Sequence, residues 1–108
     1  MVATITAAEL AELLSQGVDV VDVREPSDWA AGHIPGSRVI PLDTLRADPD
    51  AVLSRDSAIV FVCAKGQRSL TAAKLAERLG FATIYNLDGG TAAWGRSGLG
   101  LVREAVAA

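Results

Sequence analysis

The chain has 108 residues, half of them apolar and 21% charged, with a formal charge of -3. That length suits a single domain over residues 1–108 with its own core, and the composition excludes a disordered chain. Acids and bases interleave, so no basic face is expected for nucleic acid or anionic lipid, and one cysteine excludes an internal disulfide or a multi-thiolate metal site.

Residues 1–15 lack the basic start and apolar run of a secretory signal and carry Glu9 and Glu12. The pattern opens with a short strand at 3–5. Thr6-Ala7-Ala8-Glu9 then reads as a capping box, each side chain satisfying the other's free backbone N–H. The helix it starts has one apolar face, Leu10, Leu13 and Leu14, and stops at Gly17. Residues 18–23, apolar apart from Asp19 and Asp22, read as a strand buried on both faces. Pro26 suits the first turn of a short helix that carries Trp29 and ends at Gly32. His33-Ile34-Pro35-Gly36 is a turn, followed by a brief strand over 38–40. Asp43 is a candidate cap for a helix reaching Leu53, with Pro49 interrupting it.

Residues 58–62 are the clearest central strand and run directly into Cys63. A helix from 69 to 79 follows, closed by Gly80, and then a strand over 82–86. Asp88-Gly89-Gly90 makes a tight turn, and Thr91 is a candidate cap for a last short helix holding Trp94. Beyond Leu99 the pattern fades, and 104–108 read as a loose tail. Alternating strands and helices indicate an α/β architecture. No apolar run approaches the ~18 residues that span a bilayer. With a lone thiol suited to a reducing compartment, the expected location is the cytoplasm.

The informative segment is Val62-Cys63-Ala64-Lys65-Gly66-Gln67-Arg68-Ser69. In open α/β sheets ligands gather at the carboxyl ends of strands, and Cys63 stands at such an end, just before a helix. Helix N-termini present unpaired N–H groups and a positive dipole end. Gly66 lets the loop curl so that successive N–H groups form an anion-binding nest, and Lys65 and Arg68 add charge. These features lower a thiol's pKa and make it nucleophilic near neutrality. A lone cysteine after an apolar strand is more often an inert buried thiol; here the polar, glycine-bearing turn that follows argues for a reactive one.

The stretch Cys63-Ala64-Lys65-Gly66-Gln67-Arg68-Ser69 resembles the active-site loop of the rhodanese family of sulfurtransferases. Three further stretches match that family's pattern in order: Val21-Asp22-Val23-Arg24-Glu25 with Trp29, Gly32-His33-Ile34-Pro35-Gly36, and Leu87-Asp88-Gly89-Gly90 with Trp94. The resemblance implies a three-layer α/β fold, with a central, mostly parallel five-stranded sheet flanked by helices. It implies that Cys63 carries sulfane sulfur as a persulfide, with residues 64–69 cradling it. The donor would be a small anion such as thiosulfate, and the acceptor cyanide, a small thiol or a protein cysteine. No metal or organic cofactor is implied, and no nucleic-acid or membrane partner is expected.

Four residues separate Cys63 from Arg68. Cysteine phosphatases place five there, making a ring that wraps a phosphate, so the shorter loop favours a single sulfur. Two alternatives stay open: a persulfide carrier or interaction module in a sulfur relay, and a cysteine phosphatase or arsenate reductase. Asp22 and Arg24 are expected to be structural, fixing nearby loops by charge-assisted hydrogen bonds. His33 is expected to tie down its turn, since a thiolate held by backbone donors needs no base. Ser69 is a candidate helix cap that also donates into the cradle. One departure is Gly98-Leu99-Gly100-Leu101, where the family often has a proline near Gly100; a looser C-terminal closure is expected.

Overall fold

A computed structural model describes residues 1–104 of the chain. In order they form β1 (Val2–Ile5), α1 (Ala7–Leu14), β2 (Asp19–Asp22), α2 (Pro26–Ala31), β3 (Arg38–Val39), α3 (Leu42–Ala47), α4 (Pro49–Val52), β4 (Ile59–Val62), α5 (Gln67–Arg78), β5 (Ile84–Leu87) and α6 (Gly90–Arg96). The strands make one sheet in the order β1-β5-β4-β2-β3, parallel at every pairing. The sheet is thus wholly parallel among the described residues. Each connection carries a helix back across the sheet, so no strand returns by a hairpin.

β4 lies at the centre, and all four of its residues are buried. Because successive side chains point to opposite faces, this short run serves two cores. Ile59 and Phe61, with Val21 and Ile84, pack with Leu45 of α3 and Ala72, Ala73 and Ala76 of α5. Val60 and Val62, with Ile5, Val20 and Leu87, pack with Leu10 of α1 and Trp94 of α6. The result is three layers, helices on both faces of the sheet. No helix among the described residues is long and apolar enough to cross a membrane.

The expected capping box is present: Glu9 N–H donates to Thr6 Oγ1 at 3.2 Å, and Thr6 N–H to Glu9 Oε1 at 3.0 Å. Three other caps differ from expectation. α3 starts at Leu42 behind Pro41, so Asp43 lies inside the first turn, and Pro49 opens α4 as a separate turn. Proline donates no hydrogen bond and clashes with the preceding turn, so it suits a first position and divides the expected helix. α5 begins at Gln67 with Gly66 at its cap, which places Ser69 within the helix. α6 begins at Gly90, which likewise places Thr91 within a helix, capped by Gly89.

The C-terminal segment is tied down, contrary to the expected loose closure. Trp94 Nε1–H donates to the Gly100 carbonyl at 2.7 Å. His33 and Val102 exchange backbone hydrogen bonds at 2.9 Å each, and Glu104 N–H donates to the Ala30 carbonyl at 3.2 Å. Gly100 has φ +76°, a conformation closed to proline, so its departure from the family pattern is built into the path of the chain. Of the tail expected over 104–108, Glu104 is held in this way; 105–108 lie outside the described residues.

Candidate active site

A wholly parallel sheet brings the carboxyl ends of its strands to one edge, and the informative residues collect there. β4 delivers Cys63, β5 delivers the Asp88-Gly89-Gly90 turn, and β2 delivers Asp22 and Arg24. Continuing the alternation of β4, Cys63 points to the α5 side and is 2% exposed. It nonetheless lines a pocket of about 140 Å³ together with Ala64, Lys65, Gln67 and Arg68. The thiol is therefore buried at the base of an opening, neither sealed in the core nor displayed on the surface.

The sulfur is ringed by donors. Gly66 N–H donates to Cys63 Sγ at 3.1 Å, and Ser69 Oγ lies 3.3 Å away, its hydroxyl donating when the sulfur is ionised. Burial by itself pushes the thiol up. The Ser69 hydroxyl and the backbone N–H groups of Ser69, Lys65 and Gly66 outweigh it, so Cys63 sits below the ordinary thiol pKa. Ser69 does this from inside α5, where its helical position aims the hydroxyl at the sulfur. The side chains of Lys65, Gln67 and Arg68 are exposed at the pocket rim.

The loop's shape depends on close approach to the turn after β5. Gly66 has φ +101°, and a Cβ there would stand 3.3 Å from the Leu87 carbonyl oxygen and 3.4 Å from the Gly89 nitrogen. Asn86 Nδ2 donates to the Gly66 carbonyl at 3.2 Å. Thr91 N–H donates to the Cys63 carbonyl at 2.9 Å, and Ala92 N–H to that of Ala64 at 3.1 Å. The N-terminus of α6 thus braces the backbone on which the thiol stands. A Cβ on Gly90 would lie 2.6 Å from the Ala64 carbonyl, so only glycine permits this approach.

Asn86 was not identified from the sequence as a site residue. It is a buried polar side chain, and its Oδ1 has no partner among the described residues. The available signal was its position, a polar residue ending a strand immediately before Leu87-Asp88-Gly89-Gly90.

The remaining candidates are brought near the sheet edge but engage other groups. Arg24 Nε and Nη2 donate to the buried Asp22 carboxylate, Nη2 at 2.8 Å, and the same Nη2 donates to the Gly32 carbonyl at 2.8 Å. This forked pair fastens the end of β2 to the end of α2. His33 is buried, stacked on Trp29 with ring centroids 3.8 Å apart. Its Nδ1–H donates to the Trp29 carbonyl at 2.7 Å, and Nε2 lies 3.3 Å from Glu104 Oε1. Among the described residues, none of Asp22, Arg24 and His33 hydrogen-bonds to Cys63.

Comparison with known proteins agrees with this geometry. The family model of the rhodanese-like domain matches residues 6–97. The thiosulfate sulfurtransferase GlpE of Pseudomonas aeruginosa is 39% identical over 90 residues, 83% of this chain and 81% of that protein. The probable adenylyltransferase/sulfurtransferase MoeZ of Mycobacterium tuberculosis is 34% identical over 86% of this chain, which matches only 24% of that longer protein. The crystal structure of a rhodanese-related protein from Thermoplasma volcanium superposes with a TM-score of 0.86 at 35% identity, covering 94% of this chain and 99% of that one.

Proposed function

The chain belongs to the rhodanese-like domain family, and from that membership we propose that it is a sulfurtransferase working through a persulfide on Cys63. The observation that carries this reading is the ring of donors on one buried sulfur at the base of a small pocket. Thiosulfate, the substrate in the name of the Pseudomonas aeruginosa relative, suits a small pocket rimmed by Lys65 and Arg68.

The Cys63 thiolate attacks the outer sulfur of the donor. A new S–S bond forms, the donor's own S–S bond breaks, and its electron pair leaves with sulfite. The persulfide anion left on Cys63 lies within reach of the loop's N–H groups, with the Arg68 fork and the Lys65 ammonium drawing the anionic donor in. In the second step cyanide takes the terminal sulfur as thiocyanate, or a thiol attacks it. In the latter case the thiol's proton passes to the transferred sulfur, and the electron pair returns to Cys63 as thiolate. Both steps are redox-neutral and together make a ping-pong cycle.

No general base is invoked, because the donors lower the thiol's pKa and favour its ionised form; His33, Asp22 and Arg24 hold the frame. The short spacing from Cys63 to Arg68 supports a sulfur-sized ring over a phosphate-sized one. A thiol of this kind suits a reducing, cytoplasmic setting.

The test is sulfite release from thiosulfate with cyanide as acceptor, paired with mass spectrometry. The wild-type protein should gain the mass of one sulfur atom and turn over, while Cys63→Ser and Cys63→Ala should do neither and remain folded. Turnover at the wild-type rate in either variant would end the reading. Loading by a persulfide-bearing protein, but never by thiosulfate, would redirect it to a carrier.

A further inference from the structure

Interleaved charge along the chain conceals a local excess along the thiol loop and α5. Residues 65–78 contain Lys65, Arg68, Lys74 and Arg78 against the single carboxylate of Glu77, three net positive charges within a chain of formal charge -3. Elsewhere the chain neutralises its cations: Arg24, Arg38, Arg46 and Arg55 each pair with an aspartate within 4.0 Å. None of Lys65, Arg68, Lys74 and Arg78 does so among the described residues, a state shared only by Arg96 and Arg103 outside this segment.

Position on the helix gives the excess a direction. Ser69, Ala72, Ala73 and Ala76 take the buried side of α5. Gln67, Thr71, Lys74 and Arg78, at intervals of four, three and four, share the opposite side, as the helical period requires. Gln67 lines the Cys63 pocket, and Thr71, Lys74, Glu77 and Arg78 line a second, shallow concavity of about 320 Å³. Lys65 and Arg68 at the pocket rim and Lys74 and Arg78 at the second concavity therefore place cations at both ends of a path along α5, with neutral Gln67 and Thr71 between them; from Arg68 to Arg78 it runs roughly 15 Å, at about 1.5 Å per residue.

The pocket sets a geometric condition on any large acceptor. Cys63 is 2% exposed, so a protein thiol must enter on a protruding segment while the surface around it rests on the rim and α5. Sulfur loading helps by moving the reactive atom outward by about 2 Å, one S–S bond. From this we propose that the α5 face is the docking surface for a protein sulfur acceptor whose thiol lies on an acidic surface. The proposal rests on the sulfurtransferase reading and names its acceptor class. The acceptor thiol attacks the terminal sulfur of the Cys63 persulfide, its proton moves to that sulfur, the bond to Cys63 breaks, and Cys63 is regenerated as thiolate. Complementary charge supplies orientation and encounter rate, and the loop supplies the chemistry.

The test uses Lys74→Glu/Arg78→Glu, which leaves the thiol loop untouched. The probes are a cysteine peptide rich in glutamate, its glutamine counterpart, and a fluorescent serine version of each that reports binding without chemistry. Wild type should prefer the acidic peptide in kcat/KM and in affinity by about tenfold or more at low salt, with the preference collapsing as salt screens it. The double variant should lose that preference while keeping cyanide turnover. Equal behaviour of the two peptides with wild type, or an undiminished preference in the variant, would overturn the proposal. Tighter binding of a single-stranded oligonucleotide, or salt-sensitive self-association that the variant abolishes, would assign the face to another occupant and overturn it equally. Absence of sulfite release alongside variant-sensitive acidic-peptide binding would count against the thiosulfate reading and leave the docking face supported.

Discussion

At Cys63 two opposing effects meet on one atom. Desolvation favours the neutral thiol, and the donors at Ser69, Lys65 and Gly66 favour the thiolate; the donors win. Ser69 is the most informative of them, because its hydroxyl can be removed without touching the backbone. Ser69→Ala should raise the Cys63 pKa and move the rising limb of the alkylation rate with pH to higher pH, with slower sulfite release near neutrality. Iodoacetamide kinetics across a pH series, with thiolate absorbance as a second readout, measure this; superimposable wild-type and variant profiles would refute the role. The identity of the thiol and of its loop was legible in the sequence, since a strand end, a glycine and a helix start are local features. Asn86 was not, because its value lies in reaching Gly66, twenty residues away in the chain.

Among the elements, α6 contributes more than its seven residues suggest. Its first turn donates to the carbonyls of Cys63 and Ala64, which couples the β5 side of the sheet to the thiol's own backbone. Gly90→Ala should therefore act on both stability and chemistry. The added methyl overlaps backbone, which has less freedom to move than a side chain, so the expected cost is about 1–3 kcal/mol, with a fall in sulfite release at saturating thiosulfate. Thermal unfolding and turnover measured on the same preparation check this; an unchanged melting temperature would show that α6 yields freely. The tight turn at Asp88-Gly89-Gly90 was readable in advance. The cap of α6 is Gly89, two residues before the expected Thr91, because a glycine cap sends no side-chain signal. Asp43 misled in the opposite way: it is a good capping residue, but Pro41 and Leu42 had already set the helix start.

For the whole molecule, the lowered thiol pKa makes stability depend on pH, and the sign follows from proton uptake. Between the folded-state value and the ordinary thiol value, the folded chain holds a thiolate and the unfolded chain a thiol, so unfolding binds a proton. Stability from this site is therefore fully present above the unfolded pKa and fades as pH falls through the folded one. Urea unfolding at a series of pH values should show wild type gaining on Cys63→Ser as pH rises through that window. Parallel curves would mean that the cradle does not discriminate between the two protonation states. The same scale includes the C-terminal segment, which closes over His33 and Trp94 by backbone and indole hydrogen bonds. Sequence reading expected it to be loose, because periodicity and propensity report on regular elements and say little about single bonds between distant loops.

By itself the amino-acid order determined the alternation of strands and helices, the central place of β4, the capping box at Thr6 and the placing of a glycine-bearing loop between Cys63 and a helix. All of these follow from interactions among residues a few positions apart. Tertiary structure alone decided that the thiol is buried yet opens to a pocket, that Asn86 and α6 brace its loop, that Gly100 has a backbone angle closed to proline, and that Lys65, Arg68, Lys74 and Arg78 meet no acidic partner within 4.0 Å among the described residues. The physical reason is common to all four: each depends on where the folded backbone brings non-neighbouring groups within hydrogen-bonding distance, contact or electrostatic range.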